Sequence, residues 1–574
     1  MQKKFTPVLA KVEGNVSWLF ADSFVENINA KGESKRSYLD GVGIINGVLY
    51  ANGDESSLEK EVFKGLTPRS IKGALTLYLS EEDKYQIISD YIGSSFIYFY
   101  KDNGLELYSS SLKSLLNALS KFNIYPKKSL AFQACNNTFG NGNFGLSSYE
   151  NVFILPENTM VIATSREIKR VSFSIDADLL DKRLSYKECL LLAKEDLIVN
   201  AQAILNSAYP TKLAHLTGGF DSRLVVSIFD YLNRLEDIEL NCLGVKGSID
   251  YDNAYRVAAE LNAKFSNRAN YKVNTHPIDL EQKYIWEIET TQGMISNNPL
   301  HSGLSFNNEM LIMSGGYGEL LRAFYKVDTT QLTTKEAANY LGKFFNKEGR
   351  VNSLLKEDTL LELHDKVLLF IEEAKLKGFS LLQAMQLFYI KTRNRYYLGN
   401  LTKLSSKFTN RFDPLYSPYV FQLGFLVSDD NIKLGKPLFD LMNLFSQRLA
   451  LMPFGTSEWN EHLLQEKELK VTGFNHDLNP MMIEFPVIHT NSWMPKVSSE
   501  SRVKAREMKA AVWQVETYPL IQKSCLEILE EHGNDFFQYY DRTQVMRLLN
   551  NVLNHRGVIR SVFQLYGCLI ALYR

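Results

Sequence analysis

Cysteine is scarce in this chain. There are five in 574 residues, widely spaced, odd in number and without a Cys-x-x-Cys pair. That spacing excludes a disulfide framework and a cysteine-based zinc site, and it fits reduced core thiols in the cytoplasm. The nine histidines form no His-Glu-x-x-His or other close ligand pair, so a structural metal is not expected. Neither sign of charge dominates: 64 Lys and Arg stand against 65 Asp and Glu, a net charge of −1. A nucleic-acid partner usually announces itself by a basic excess, and there is none. Long hydrophobic runs are missing too. The opening MQKKFTPVLAKVEG has no apolar secretion core. The longest late run, residues 561–573, is broken by Gln564 and Gly567; it is too short to span a bilayer and reads as a buried terminal helix. No internal repeat or low-complexity tract appears. The expectation is a cytoplasmic protein with neither a membrane nor a nucleic-acid partner. Its 45% apolar and 22% charged content is that of an ordinary globular chain.

What is present divides in two. Up to about residue 175 the chain reads as β-rich, with short runs at 42–51, 73–79, 85–89, 95–100 and 105–108 separated by polar turns such as 81–83 and 101–104. Such spacing suggests antiparallel sheets. Helical periodicity follows at 111–119 and 129–137, then strands at 152–154, 159–164 and 169–173. Composition turns polar over 175–187, and an amphipathic helix at 186–206 opens the second part. There a strand at 213–216, a helix, a strand at 239–245, a helix at 252–263 and a strand at 311–313 alternate. That alternation predicts a doubly wound parallel sheet with its ligand beyond the carboxyl ends of the strands. From about Thr333 onward the chain reads as mostly helical, for example at 354–375, 381–389 and 438–449.

The chemistry is concentrated in residues 213–230, LAHLTGGFDSRLVVSIFD. A short apolar strand runs into a Thr-Gly-Gly turn, and Asp221-Ser222-Arg223 opens an apolar helix. Gly218 and Gly219 permit backbone angles and approaches that a side chain would block. The first N–H groups of the helix and its positive dipole end suit phosphate oxygens. Asp221 would repel a bare phosphate, which points to a bridging Mg²⁺ held by oxygen ligands. The Gly-Lys-Ser/Thr ending of a kinase-type P-loop is absent. The plain alternative is a glycine-rich strand–helix turn with no nucleotide.

This stretch resembles the ATP-pyrophosphatase loop of the asparagine synthetase family, usually Ser-Gly-Gly-Leu-Asp-Ser. Three further stretches are similar to that family. MSGGYGELLRAFY, residues 313–325, aligns without a gap with Ser-Gly-Glu-Gly-x-Asp-Glu-Leu-Phe-Gly-Gly-Tyr. Ser314 and Gly315 match, Glu319 falls on the metal-binding aspartate, and Tyr325 on the closing tyrosine. CLGVKGSIDYDNAYRVAAELNA, residues 242–263, resembles the strand–loop–helix after the phosphate loop, whose backbone near Leu243 would contact adenine. Asp90-Tyr91-Ile92-Gly93 through Tyr98, with the Ser-rich turn and helix at 109–119, looks like the core of the family's glutaminase domain. Those glutaminases begin Met-Cys-Gly, whereas this sequence begins Met1-Gln2-Lys3-Lys4, so the resemblance implies a scaffold without glutaminase activity. Family-like text recurs at Phe412-Asp413-Pro414-Leu415 and Leu451-Met452-Pro453.

On that resemblance, residues 1–177 would form an Ntn-hydrolase-like β-sandwich. Residues 178–574 would form a doubly wound ATP-pyrophosphatase domain with a helical C-terminal part. ATP and its pyrophosphate would meet Leu216, Thr217, Gly218, Gly219, Asp221, Ser222, Arg223, Leu243, Asp250, Ser314 and Gly315, and Asp221 with Glu319 would hold Mg²⁺. Catalysis would fall to Tyr317, Tyr325 and Lys436, with Lys467 and Lys470 as further candidate lysines. The related β-lactam synthetases carry a tyrosine where this chain has Gly316, and Tyr317 is its neighbour. The implied activity is an ATP-dependent amide-bond-forming ligase that adenylates a carboxylate, releases pyrophosphate and joins the acyl group to an amine, releasing AMP. The closest kinds are β-lactam synthetases and lasso-peptide cyclases. The specific expectation is intramolecular cyclisation of a precursor peptide, with a leader-processing protease as partner. The alternatives are an amidating enzyme for a small metabolite or surface polysaccharide, and a catalytically silent nucleotide-binding scaffold.

Overall fold

The computed structural model describes residues 6–12, 15–19, 37–52, 65–80, 84–139, 144–164, 167–267, 273–295, 307–344, 351–456, 458–484, 487–493, 495–551, 553 and 556–574. The expected Met1–Lys4 start and the turn at 81–83 lie outside the described residues. The fold is mixed α/β, about half helical, with several sheets including a parallel one.

In the first part a five-stranded antiparallel sheet runs in the order Asn15–Leu19, Val8–Val12, Leu105–Ser109, Tyr98–Asp102, Val152–Ile154. A six-stranded one runs Ile168–Ser172, Thr159–Thr164, Lys84–Ile88, Ile71–Ser80, Tyr38–Ile45, Val48–Ala51. They share a core in which Leu9, Ile97 and Tyr108 of one meet Tyr78, Ile87 and Val161 of the other. The helix Leu112–Ser120, capped by Ser111 accepting from the Ser114 amide, sends Leu112, Leu115 and Leu119 into the core with Tyr98 and Leu107. The run expected at 42–51 is a hairpin. Asn46 at φ 49° and Gly47 at φ 77° turn the chain between its strands, and Asn-Gly is the sequence signal for that turn.

The second part is built on a six-stranded sheet ordered Thr409–Arg411, Asn307–Met313, Thr211–His215, Glu239–Cys242, Lys264–Asn267, Met481–Met482, parallel throughout. From Thr211–His215 the chain first adds strands on one side and then crosses to place Asn307–Met313 on the other. The strand order therefore reverses between these two, which is where open α/β sheets bind ligands. The strands at 264–267, 409–411 and 481–482 were not expected; each spans four residues or fewer, too short for periodicity to register.

Several buried polar contacts tie the two parts together. Lys403 pairs with Asp40 at 2.8 Å, both side chains almost fully enclosed. The Tyr416 hydroxyl donates to Asp90 Oδ1 at 2.6 Å, and Arg395 Nε donates to the Gly93 carbonyl at 3.2 Å. The Asp90–Gly93 stretch thus forms part of the seam. All five cysteines are buried and unpaired, and no helix among the described residues is long and apolar enough to cross a membrane.

Candidate active site

Two glycine turns meet at the point where the strand order reverses. The first follows Thr211–His215 and leads into the helix Phe220–Tyr231; the second follows Asn307–Met313 and leads into a 3-10 turn, Gly318–Leu321. They are in backbone contact. A β-carbon on Gly315 would lie 2.5 Å from the Ser222 amide nitrogen, and one on Gly318 would lie 2.7 Å from Asp221 Cβ. Glycine at both positions is what lets the loops approach.

The first turn is internally braced. The Thr217 amide donates to Ser222 Oγ at 3.1 Å, the Gly219 amide to Thr217 Oγ1 at 3.2 Å, and the Gly218 amide to Asp250 Oδ1 at 3.1 Å. The helix itself begins at Gly219 with no side-chain cap, so its leading N–H groups are donors without an intrahelical acceptor. A second segment overlies the turn. The Gly455 amide donates to the Gly218 carbonyl at 2.9 Å, and the Phe220 ring centroid lies 4.3 Å from that of Phe454 and 4.2 Å from that of Trp459. Ile249 Cγ2 would lie 2.7 Å from a β-carbon on Gly455, and Ile249 and Leu243 are both exposed.

Beyond the turns lies a charged group of three. Arg322 donates from Nη2 to Asp221 Oδ2 at 2.7 Å and from Nε to Oδ1 at 3.3 Å. Burial opposes the guanidinium charge, and Asp221 more than restores it. Glu319 Oε1 accepts from Tyr389 at 3.2 Å and from Asn394 at 2.9 Å. Burial, and then the nearby Asp221 carboxylate, push its carboxyl up to about 7. A cavity of about 790 Å³ adjoins the group. Phe220, Arg322, Lys326, Val327, Lys433 and Trp459 are among its walls.

These residues do not fit a resident divalent cation. Both oxygens of Asp221 already accept from Arg322, and Glu319 is held by two neutral donors. No group of three or more acidic, His or Cys side chains among the described residues could hold a metal. The cation beside Asp221 is a guanidinium.

Several expected roles need correction. Arg223 offers no charge to a phosphate: it is fully buried, and its guanidinium donates to the carbonyls of Met452 and Pro453, each at 2.8 Å, and to Asn253 Oδ1 at 2.6 Å. It anchors the segment that overlies the glycine turn. Tyr317 is 2% exposed, with its ring against Tyr416 and Phe421. Burial, then Asp413 and Asp90, raise its hydroxyl well above the ordinary range, so it is a core aromatic and not a base. Tyr325 is fully buried among Phe324, Phe344 and Tyr389, with its hydroxyl unpartnered among the described residues. Lys436 is spent in ion pairs with Glu466 at 2.7 Å and Asp440 at 3.5 Å, and Lys467 pairs with Asp440 at 2.7 Å. Ser314 donates to Asp413 Oδ1 at 2.5 Å and accepts from Arg411 at 2.7 Å. The Leu216 side chain is in the core, leaving only its backbone to the loop. A side chain at Gly316 would displace its neighbours, since a β-carbon would lie 2.9 Å from both Asp413 Cγ and Leu398 Cδ2.

The expected residues brought together are Thr217, Gly218, Gly219, Asp221, Ser222, Asp250, Ser314, Gly315 and Glu319. Missed were Arg322, Tyr389, Asn394 and Gly455. Arg322 could have been found, because it puts a charge where the pattern that residues 313–325 resemble has a phenylalanine; Tyr389 and Asn394 are 70 and 75 residues from Glu319 and carry no motif. No protein-family model matches the chain, and no curated protein matches it.

Proposed function

We propose that this chain is an ATP-dependent amide ligase, with a glutaminase-like sandwich joined to an ATP-pyrophosphatase domain. The observation that supports it most is the backbone contact of two glycine turns at the reversal of strand order, with an uncapped helix start and a cavity alongside. The helix-start N–H groups of Phe220 and Asp221 receive phosphate oxygens, and the exposed Leu243 and Ile249 offer an apolar surface to adenine. A substrate carboxylate oxygen attacks the α-phosphorus, and the bond to the β-phosphate oxygen breaks to release pyrophosphate. An amine nitrogen then attacks the acyl carbon, and the bond to the AMP oxygen breaks. Glu319, poised near neutrality, takes the amine proton. Phe220, Phe454 and Trp459 keep water from the acyl phosphate.

The cavity is large enough for a peptide segment and carries both charge signs, with Lys326, Lys433, Asp328, Asp430 and Glu458 among its walls and Lys433 paired with Asp328 at 3.6 Å. Intramolecular closure of a peptide side-chain carboxylate onto an amine suits it better than capture of free ammonia, which needs no such room. The test incubates the protein with ATP and a panel of peptides carrying one acidic side chain and a free N-terminus. Equal amounts of AMP and pyrophosphate, with loss of one water from a peptide, are expected; ADP and phosphate as products would end the proposal. A silent nucleotide-binding scaffold is favoured by one observation, the internal use of all three turn amides, and would show nucleotide binding without either product.

A further inference from the structure

We infer that Arg322 is the cation of the phosphate site, a built-in guanidinium in the place that a divalent ion would otherwise take. The inference rests on the nucleotide reading above. Three features carry it. The side chain grips Asp221 through two hydrogen bonds, a fork-to-carboxylate geometry that fixes the plane of the guanidinium. It is nevertheless 29% exposed and lines the cavity beside Phe220, the first residue of the uncapped helix. Its two contacts use Nε and one Nη2 hydrogen, and Nη1 makes no hydrogen bond among the described residues.

Asp221 therefore acts as the orienter of Arg322, and the unspent N–H groups meet phosphate oxygens. A guanidinium is charged throughout the working pH range and binds phosphate through parallel donors, whereas lysine acts as a point charge. The backbone supports the same placement. Arg322 follows the 3-10 turn in an extended conformation at φ −149° and ψ 162°, and its carbonyl accepts from Gln386 Nε2 at 3.3 Å. The main chain is thus held while the side chain reaches across to the other loop. An acidic residue in the first turn of a phosphate-binding helix, unfavourable by itself, becomes intelligible as the counter-charge of an arginine.

Binding of α,β-methylene-ATP to the full chain, measured by titration calorimetry in EDTA and in excess Mg²⁺, tests this. The wild type is expected to bind with affinities within about threefold in the two conditions, and Arg322→Gln to lose about tenfold or more in EDTA. Arg322→Lys should recover part of the loss, since it restores charge without the fork. A merely structural role would change the melting temperature without changing the EDTA-to-Mg²⁺ ratio. If wild-type binding collapses by more than about tenfold in EDTA while Arg322→Gln matches wild type in Mg²⁺, a metal is the cation and the inference is overturned, with the nucleotide reading intact. No binding by the wild type in either condition overturns both. The wild-type comparison decides the matter even if Arg322→Gln does not fold.

Discussion

Gly315 and Ser222 are 93 residues apart in sequence, yet a β-carbon on the first would lie 2.5 Å from the amide nitrogen of the second. The atoms it would meet are backbone, Ser222 N and Asp221 C, which cannot rotate away as a flexible side chain could. One missing methyl group thus sets the spacing of the two turns, and with it the distance between Asp221 and Glu319.

Gly315→Ala should therefore separate the loops. The expected cost is about 1–3 kcal/mol of stability, read by urea unfolding, together with loss of ATP turnover. Gly219→Ala is the control within the same motif: the nearest atom to its β-carbon would be Thr217 Oγ1 at 3.5 Å, ordinary contact, and its φ of −90° suits any residue. That variant should lie within about 0.5 kcal/mol of wild type. Equal effects of the two substitutions would show that loop spacing is not what Gly315 sets.

The sequence was most legible where short-range chemistry dictates structure. Thr217 to Ser222 is read correctly as a turn into a helix, because glycines and short oxygen side chains leave the local backbone few options. The helix expected at 186–206 is likewise found, at Tyr186–Leu205, where the structure shows a Ser185–Glu188 capping box at its start. What escaped depends on contacts between distant segments. Nothing local says that Tyr317 turns into the seam against Tyr416, or that Arg223 faces inward to Met452 and Pro453, because an isolated helix presents both outcomes equally. Lys436 looked available for the same reason: its partner Glu466 is 30 residues away.

Asp221→Asn should abolish AMP formation with little loss of stability. The Asp221–Arg322 pair is partly exposed, 23% and 29%, and such pairs contribute about 0–1 kcal/mol. Thermal melting within the error of wild type, with product formation below detection, is the expected combination. A stable variant with full turnover would remove Asp221 from the site.

Arg223 behaves in the opposite way. Arg223→Met strips a buried hydrogen-bonding group from the carbonyls of Met452 and Pro453 and leaves them unsatisfied, at a cost of about 2–5 kcal/mol. Chemical denaturation should show this loss. Arg223→Lys should recover little of it, because one ammonium cannot reach the same set of acceptors. An Arg223→Met protein of wild-type stability with weakened ATP binding would return Arg223 to the phosphate site.

Glu319 gives the site a pH signature in stability. Its folded carboxyl is pushed up to about 7, against 4.5 for an ordinary glutamate, so between these values the folded chain holds a proton that the unfolded chain releases. Stability is then greatest at or below about pH 4.5 for this group, falls as pH rises through the window, and levels off above about pH 7. The full difference corresponds to about 3 kcal/mol, an upper bound for a part-buried group. Glu319→Gln, which keeps an acceptor for Tyr389 and Asn394 but cannot ionise, should lack this decline. Its melting temperature relative to wild type should therefore climb between about pH 5 and about pH 8, as followed by differential scanning fluorimetry. Parallel profiles for the two proteins would mean that Glu319 is already ionised at the acid end, and its role as proton acceptor near neutrality would be lost with it.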